Sequence, residues 1–343
     1  MKHHLNTLFV FTQGAYLAKD GQAVAVRVED EVRFRVPIHN LGGIVCFGRV
    51  GVSPALMALA AEAGASVSFC TEHGRFMARV SGFTPGNVLL RRTQYRWADD
   101  PERSAGLARS FVLGKLLNAR TVLLRAARDR PDDPGNTELA GAARRMAATV
   151  DLARAEPDLD RVRGYEGEGS QIYFGAFNHL ITSRSPSFVF NERSRRPPLD
   201  APNALLSFLY AMLAHDARTA CESAGLDGAV GFLHRDRPGR PGLALDLMEE
   251  FRAFLADRLA LSLMNRGQVT ASGFEATASG AVLMNEATRK AVVKAYQERK
   301  QEEIVHPFLN ERTTVGLLVH LQARLLARHL RGDLDAYPPF VWK

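Results

Sequence analysis

The chain lacks any run approaching the ~20 apolar residues that a membrane-spanning helix needs. Its opening, MKHHLNTLFVFTQG, has neither the apolar stretch nor the small-residue cleavage site of a secretory signal. Cysteine is scarce: Cys46, Cys70 and Cys221 are odd in number and far apart, so they offer no disulfide framework and no zinc-finger spacing. These absences predict a soluble protein of the reducing cytoplasm. No internal repeat and no low-complexity tract is present, which excludes solenoids and collagen-like folds. Lysine is also sparse, at 7 of the 44 basic residues, which leaves 37 arginines.

Hydrophobic residues make up 46% and charged residues 24% of the 343 positions, a balance that supports a sizeable core and excludes wholesale disorder. Length alone predicts two domains, with room for a third. The formal charge is +7. A basic balance favours polyanionic partners, and the planar guanidinium fork suits phosphates. A GC-rich genome explains the same arginine excess equally well, so composition leaves both explanations open.

The chain changes character near residue 86. Before it, LFVF, AVAVRV, VRFRV, GIVCF, SVSFC and FMARVSG are short β-prone runs, with turn signals at Lys19–Gln22, Leu41–Gly43 and Thr71–Gly74. One helix interrupts them, with Ser53 as N-cap, Pro54 in the first turn and Gly64 at the exit. Phe83–Asn87 reads as a linker. From Val88 onward apolar residues recur at helical intervals, with a turn at Arg130–Asn136. Helices are predicted over Glu138–Glu156, Gly169–Ile181, Pro202–Gly225, Leu243–Arg266, Glu286–Glu303 and Thr313–Leu330. Polar loops at Ser183–Asp200 and Arg235–Gly242 separate some of them. The expected fold is α+β in two domains: a small β-rich domain, 1–86, followed by a large all-α domain, 87–343.

Four side chains in the helical part carry potential chemistry. Glu166 lies in VRGYEGEGSQIYF, at the predicted mouth of a helix starting near Gly167. His234 ends the apolar run of AVGFLHRD. Asp246 and Glu249 lie in LALDLMEEF. On a helix, Leu247, Phe251, Phe254, Leu255 and Leu259 form one stripe, and Asp246, Glu249 and Glu250 share a flank. Asp246 and Glu249 can then face one hard cation, with Glu250 or His234 beside them. Such oxygen and imidazole donors suit Mn²⁺ or Mg²⁺. Taken singly, each residue has an ordinary explanation: a solvated helix flank, a half-buried histidine, or a charge favoured by a helix N-terminus.

The surroundings add weight. Arg184, Arg193, Arg195 and Arg196 share one loop, Arg235, Arg237 and Arg240 another, and Arg163 precedes Glu166 by three residues. Carboxylates among guanidinium groups fit a metal acting on a phosphodiester. Tyr165, Tyr173, Tyr210, Phe190 and Phe232 are available to stack on unpaired bases; core packing is the competing explanation, clearest for Tyr210.

Five segments in order, RGYEGEGSQIYF, FVFNERSRRPPLDAPNALLSFLYAML, SAGLDGAVGFLH, LDLMEEFR and HPFLNERTTVGLLVHLQARLLARHLRG…YPPFVWK, together with VRVEDEVRFRVPIHNLGGIVCFG, resemble a known family over nearly the whole chain. It is the CRISPR-associated endonuclease/integrase family, the metal-dependent member of the universal spacer-acquisition pair; the detail is most similar to subtype I-C. The resemblance implies a Mg²⁺ or Mn²⁺ site at Glu166, His234 and Glu249. It places Asp246 at an additional acidic position beside the metal, binding it or its water. The family spacing selects Glu249 over Glu250, where relatives often carry Asp. Arg163, Arg195 and Arg196 fall on DNA-contact positions, and Tyr210 matches a tyrosine near the active site. Arg235, Arg237 and Arg240 are expected to contact DNA as well.

The implied reaction is CRISPR adaptation, in which the 3′-hydroxyl of new spacer DNA joins the repeat by phosphodiester transesterification. With water as nucleophile the same site is an endonuclease. The resemblance also implies a homodimer through the β-rich domain and a complex with the small ferredoxin-fold adaptation protein. A non-catalytic basic DNA-binding scaffold and a hydrolase of small acidic metabolites are the alternatives; the arginine-rich loops argue against the latter.

Overall fold

The structure is a computed structural model describing residues 6–72, 76–80, 82 and 87–342. The chain parts into two compact units, Met1–Gly86 with Val292–Gln301, and Asn87–Ala291 with Glu302–Lys343.

The first unit is built from short strands around one helix: β1 (Asn6–Val10), β2 (Tyr16–Asp20), β3 (Ala23–Val28), β4 (Glu31–Pro37), β5 (Leu41–Phe47), β6 (Gly51–Val52), α1 (Pro54–Glu62), β7 (Ser66–Cys70) and β8 (Phe76–Val80). They form two four-stranded sheets, ordered β1-β5-β7-β8 and β4-β3-β2-β6. Strands β1, β5 and β7 run parallel. Leu41–Gly43 is therefore strand, not turn: every residue of β5 is buried, as expected of a central parallel strand. Leu17, Val24, Ile44, Leu56, Ala60 and Val67 centre the core beneath the sheets. Ser53 caps α1 by accepting from the Leu56 amide, with Pro54 in the first turn. The Thr71–Gly74 turn signal and the Phe83–Asn87 linker fall partly outside the described residues.

The second unit is mainly helical: α2 (Val88–Asp99), α3 (Pro101–Asp129), α4 (Asn136–Ala155), α5 (Leu159–Gly175), α6 (Ala201–Ser223), α7 (Gly242–Glu249) and α8 (Arg258–Asn265). It continues through β9 (Phe274–Ala276), β10 (Val282–Met284), α9 (Glu286–Gln301, whose last ten residues belong to the first unit), β11 (Glu303–Val305), β12 (Arg312–Thr314) and α10 (Val315–Leu330). Helix α3 is the spine. At 1.5 Å per residue its 29 residues span about 43 Å, and it packs on α4, α5 and α7.

Two helix assignments differ from the sequence reading. The helix expected from Gly169 starts ten residues earlier, because Asp158 caps α5 by accepting from the Arg161 amide at 2.8 Å. The single helix expected over Leu243–Arg266 is broken after Glu249. A π-helical turn, Arg252–Asp257, joins α7 to α8. Among the described residues, no helix is long and apolar enough to cross a membrane.

Candidate metal centre

Glu166 lies two turns inside α5, so it is not the helix-mouth charge the sequence suggested. What places it is the close crossing of α5 with α3. Gly169 is buried at the crossing, and a Cβ there would stand 2.0 Å from Leu116 Cδ2. Without a side chain at 169 the helices approach closely enough for the Lys115 ammonium of α3 to bond Glu166 Oε1. Ser170 Oγ donates to the same oxygen at 3.1 Å.

His234 is set by its loop. Gln94 of α2 donates to the carbonyls of Asp227 and Val230, both at 2.8 Å, and accepts from the Asp227 amide. Phe232 and Leu233 are buried anchors. Gly231 lets the loop lie on the start of α7, since a Cβ there would meet the Gly242 carbonyl carbon at 2.7 Å. Asp246 then gathers the loop. Its Oδ2 accepts from the Phe232 and Leu233 amides at 2.6 and 3.0 Å. Its Oδ1 accepts from the His234 amide at 2.9 Å and from His234 Nδ1 at 2.6 Å. Because an ionised carboxylate only accepts, Nδ1 carries the proton, and Nε2 presents its lone pair outward. The two Asp246 oxygens accept from four donors, so the carboxylate orients the imidazole and its loop.

Glu249 completes the group from the end of α7. Its Oε1 is 3.8 Å from His234 Nε2 and 3.0 Å from Arg252 Nη2; its Oε2 is 2.9 Å from Lys115 Nζ. Burial alone raises the carboxyl's pKa, but chiefly Arg252 and Lys115 outweigh it and hold the group well below the usual carboxylate range. Oε2 nevertheless makes no well-directed hydrogen bond. Glu250 goes elsewhere. It accepts from Tyr337 Oη (2.6 Å), the Phe340 amide (2.6 Å) and Gln322 Nε2 (3.0 Å) on the far side of the helix. Burial pushes its pKa up to about 8 despite those donors. Asp246, Glu249 and Glu250 are all buried, so none belongs to a solvated flank.

Glu166, His234 Nε2 and Glu249 thus converge from α5, a loop and α7. Among the described residues, no group of three or more His, Cys, Asp or Glu side chains stands ready-made around a metal position. Instead the Lys115 ammonium lies between the two carboxylates. The donor set still fits a hard divalent cation: two carboxylates, one imidazole lone pair, an under-used buried oxygen and no thiolate. The carboxylate pair already accepts positive charge at that spot. Cys221 is buried and its thiol is held neutral by burial.

The remaining candidates separate into neighbours and outliers. Tyr210 is near the site and half-buried. Its hydroxyl donates to Asp257 at 2.7 Å, and its ring lies near the guanidinium carbons of Arg252 (4.8 Å) and Arg193 (5.4 Å). Tyr173, Phe190 and Phe232 are buried and unavailable for base stacking. Arg163 braces the histidine loop, with Nε donating to the Leu233 carbonyl at 2.6 Å and Nη1 to Asp160 at 2.7 Å. Arg235 bonds the same Asp160 at 2.9 Å. Arg195, Arg196 and Arg237 are exposed, and Arg240 is partly so.

Lys115 and Arg252 were not identified from the sequence. Arg252 was legible as the i+3 partner of Glu249. Lys115 carried only a weak signal, a lysine inside the apolar run FVLGKLLNA of an arginine-rich chain.

Comparison with known proteins agrees with this architecture. The family described as CRISPR associated protein Cas1 matches residues 8–298. The chain is 53% identical over 343 residues to a CRISPR-associated endonuclease Cas1 of Chlorobaculum tepidum, covering 100% of both. Among solved structures, it superposes on a casposase bound to integration product with a TM-score of 0.84 at 19% identity, covering 99% of this chain and 95% of that one. It also superposes on a chain of a Cas6-RT-Cas1–Cas2 complex with a TM-score of 0.83 at 22% identity, covering 100% of this chain and 36% of that one.

Proposed function

This chain belongs to the CRISPR-associated Cas1 family, and from that premise we propose that it is a metal-dependent DNA endonuclease/integrase of spacer acquisition. The observation that carries the reading is the convergence of Glu166, His234 Nε2 and Glu249, from three separate elements, on one cation-accepting spot. The detail of the ordered sequence blocks supports subtype I-C.

Glu166, His234 and Glu249 would hold Mg²⁺ or Mn²⁺, which when bound supplies positive charge to the phosphodiester under attack. Asp246 keeps the His234 lone pair aimed, by holding the Nδ1 proton and three loop amides. Arg252 keeps Glu249 ionised at neutral pH. Exposed Arg195, Arg196 and Arg237, with Arg240, supply guanidinium forks to backbone phosphates. In the reaction the spacer's 3′-oxygen forms a bond to repeat phosphorus, and the bond to the strand's own 3′-oxygen breaks. One phosphodiester replaces another, so no protein nucleophile and no external energy source is required. Water in place of the spacer end gives hydrolysis.

The assembly part of the reading is a cytoplasmic homodimer through the β-rich region, joined by the small ferredoxin-fold adaptation protein, as the Cas1–Cas2 complex among the neighbours suggests. Strand β4 supports it: an edge strand exposed on both faces and open to pairing.

The test is half-site joining of a labelled short duplex to a supercoiled plasmid carrying a repeat array, with metal and the partner protein. Glu166→Gln and His234→Ala should abolish joining and cleavage while salt-sensitive duplex binding persists. Joining by either variant at the parental rate would remove the metal assignment. Binding without joining by the parent protein would favour the scaffold alternative.

A further inference from the structure

Lys115 is mostly buried, and its charge is compensated by the same two carboxylates proposed as ligands: it bonds Glu166 and stands 2.9 Å from Glu249. A buried ammonium needs such partners. A divalent cation entering between Glu166 and Glu249 would meet that ammonium at contact distance, where like charges repel strongly. The lysine therefore has to move for the ion to enter.

The fold provides a place for it to go. A small, mainly apolar cavity of about 20 Å³ adjoins the Lys115 side chain, and its walls include Ser170, Tyr210, Arg252 and Asp257. That volume holds one water-sized group, and an ammonium head is of that size. Asp257 is buried in the π turn, where Tyr210 Oη donates to it and the Arg252 and Arg193 guanidinium groups favour its charged form, so an ammonium arriving there would share a carboxylate that already has cationic neighbours. The flexible four-carbon lysine stem allows the swing, which a rigid guanidinium fork would not make in this space.

Building on the metal-site reading above, we infer that Lys115 is a two-position residue. It bridges Glu166 and Glu249 before the divalent cation arrives, keeping them at ligand spacing, and on cation entry it withdraws into the cavity beside Asp257. It is a positioning residue for the metal, and its exchange sets how tightly the ion is held.

Mn²⁺ binding followed by electron paramagnetic resonance of the free ion, without DNA, tests this on the full-length protein. Circular dichroism melts establish that each variant is folded. Lys115→Met should tighten Mn²⁺ binding by at least about tenfold, since no charge-assisted contact then has to be broken first. Asp257→Asn should weaken Mn²⁺ binding several-fold in the parent, by removing the anion that receives the ammonium, and should have no effect in the Lys115→Met background. Unchanged or weaker binding by Lys115→Met overturns the inference. So does an Asp257→Asn effect that persists without Lys115, because Asp257 would then act through its general field. Glu166→Gln separates this from the underlying reading. If it loses Mn²⁺ while Lys115→Met matches the parent, the metal site stands and the lysine exchange falls. If the parent itself takes up no Mn²⁺, both fall.

Discussion

Replacing Gly169 with alanine tests whether the close crossing of α3 and α5 builds the site. The new Cβ would lie 2.0 Å from Leu116 Cδ2 and 3.4 Å from Met146 Sδ. Leu116 and Met146 are both fully buried, so neither side chain can retreat into solvent. Overpacking of this kind costs about 1–3 kcal/mol, while alanine gains about 1 kcal/mol over glycine within a helix. Gly169→Ala should therefore destabilise the protein by about 1 kcal/mol net. Leu116→Ala empties the space the new methyl needs, at its own cost of about 2–5 kcal/mol. In that background Gly169→Ala should instead stabilise by about 1 kcal/mol, because the helix gain remains and the clash is gone. The sign reversal amounts to a coupling of about 2 kcal/mol in a double-mutant cycle. Urea unfolding of the four proteins measures it from midpoints at constant slope. Additive effects, or a Gly169→Ala that stabilises the parent, would refute the idea that residue 169 sets the crossing.

Two further outcomes follow from the buried carboxylates. The Glu250 pKa rises from an ordinary 4.5 to about 8, so the folded state holds a proton there that the unfolded chain releases, and stability falls as pH rises between those values. Asp257, raised by burial to about 6, acts in the same sense lower down. Between about 7 and about 8 Asp257 has largely titrated and His306, whose pKa burial lowers, is largely neutral in both states, so the slope belongs chiefly to Glu250; urea midpoints should fall by the equivalent of about 1 kcal/mol in the parent and much less in Glu250→Gln. Asp246→Asn turns an N–H₂ group toward amides that need an acceptor, which should cost about 2–5 kcal/mol in urea unfolding. Manganese affinity should drop about 10–100-fold as His234 loses its brace, and an unchanged affinity would show that the brace is dispensable.

Much of this architecture was legible where local chemistry decides conformation. Ser53-Pro54 marked the start of α1, and the turn between α3 and α4 showed in Arg130–Asn136. The Asp158 cap of α5 was equally readable but was overshadowed by the glycines after Glu166, which suggested a later start. The glycines of Leu41–Gly43 looked like a turn because their neighbours in the sheet lie far away in sequence. Glu166, His234 and Glu249 stood out singly by residue type and context, and the family resemblance joined them into one set; spacing alone relates only residues on the same helix. The separate destinations of Asp246, Glu249 and Glu250 could not be read from a helical wheel. A wheel reports direction, whereas the partners come from the 232–234 loop and the 337–340 segment.

The π turn at Arg252–Asp257 makes the segment sensitive to the direction of a change in its own length. Each residue of an ordinary helix advances about 100° around the axis, so excising one residue here would relax the wide turn to α-helical winding. The wide turn holds about one residue more than an α-helical turn, so α7 and α8 would keep their relative phase after the excision. A single deletion should therefore be absorbed with the apolar packing of α7 and α8 intact, whereas inserting one more residue ahead of Asp257 would turn its carboxylate about 100° away from the Lys115 cavity, so loss of function would precede loss of fold.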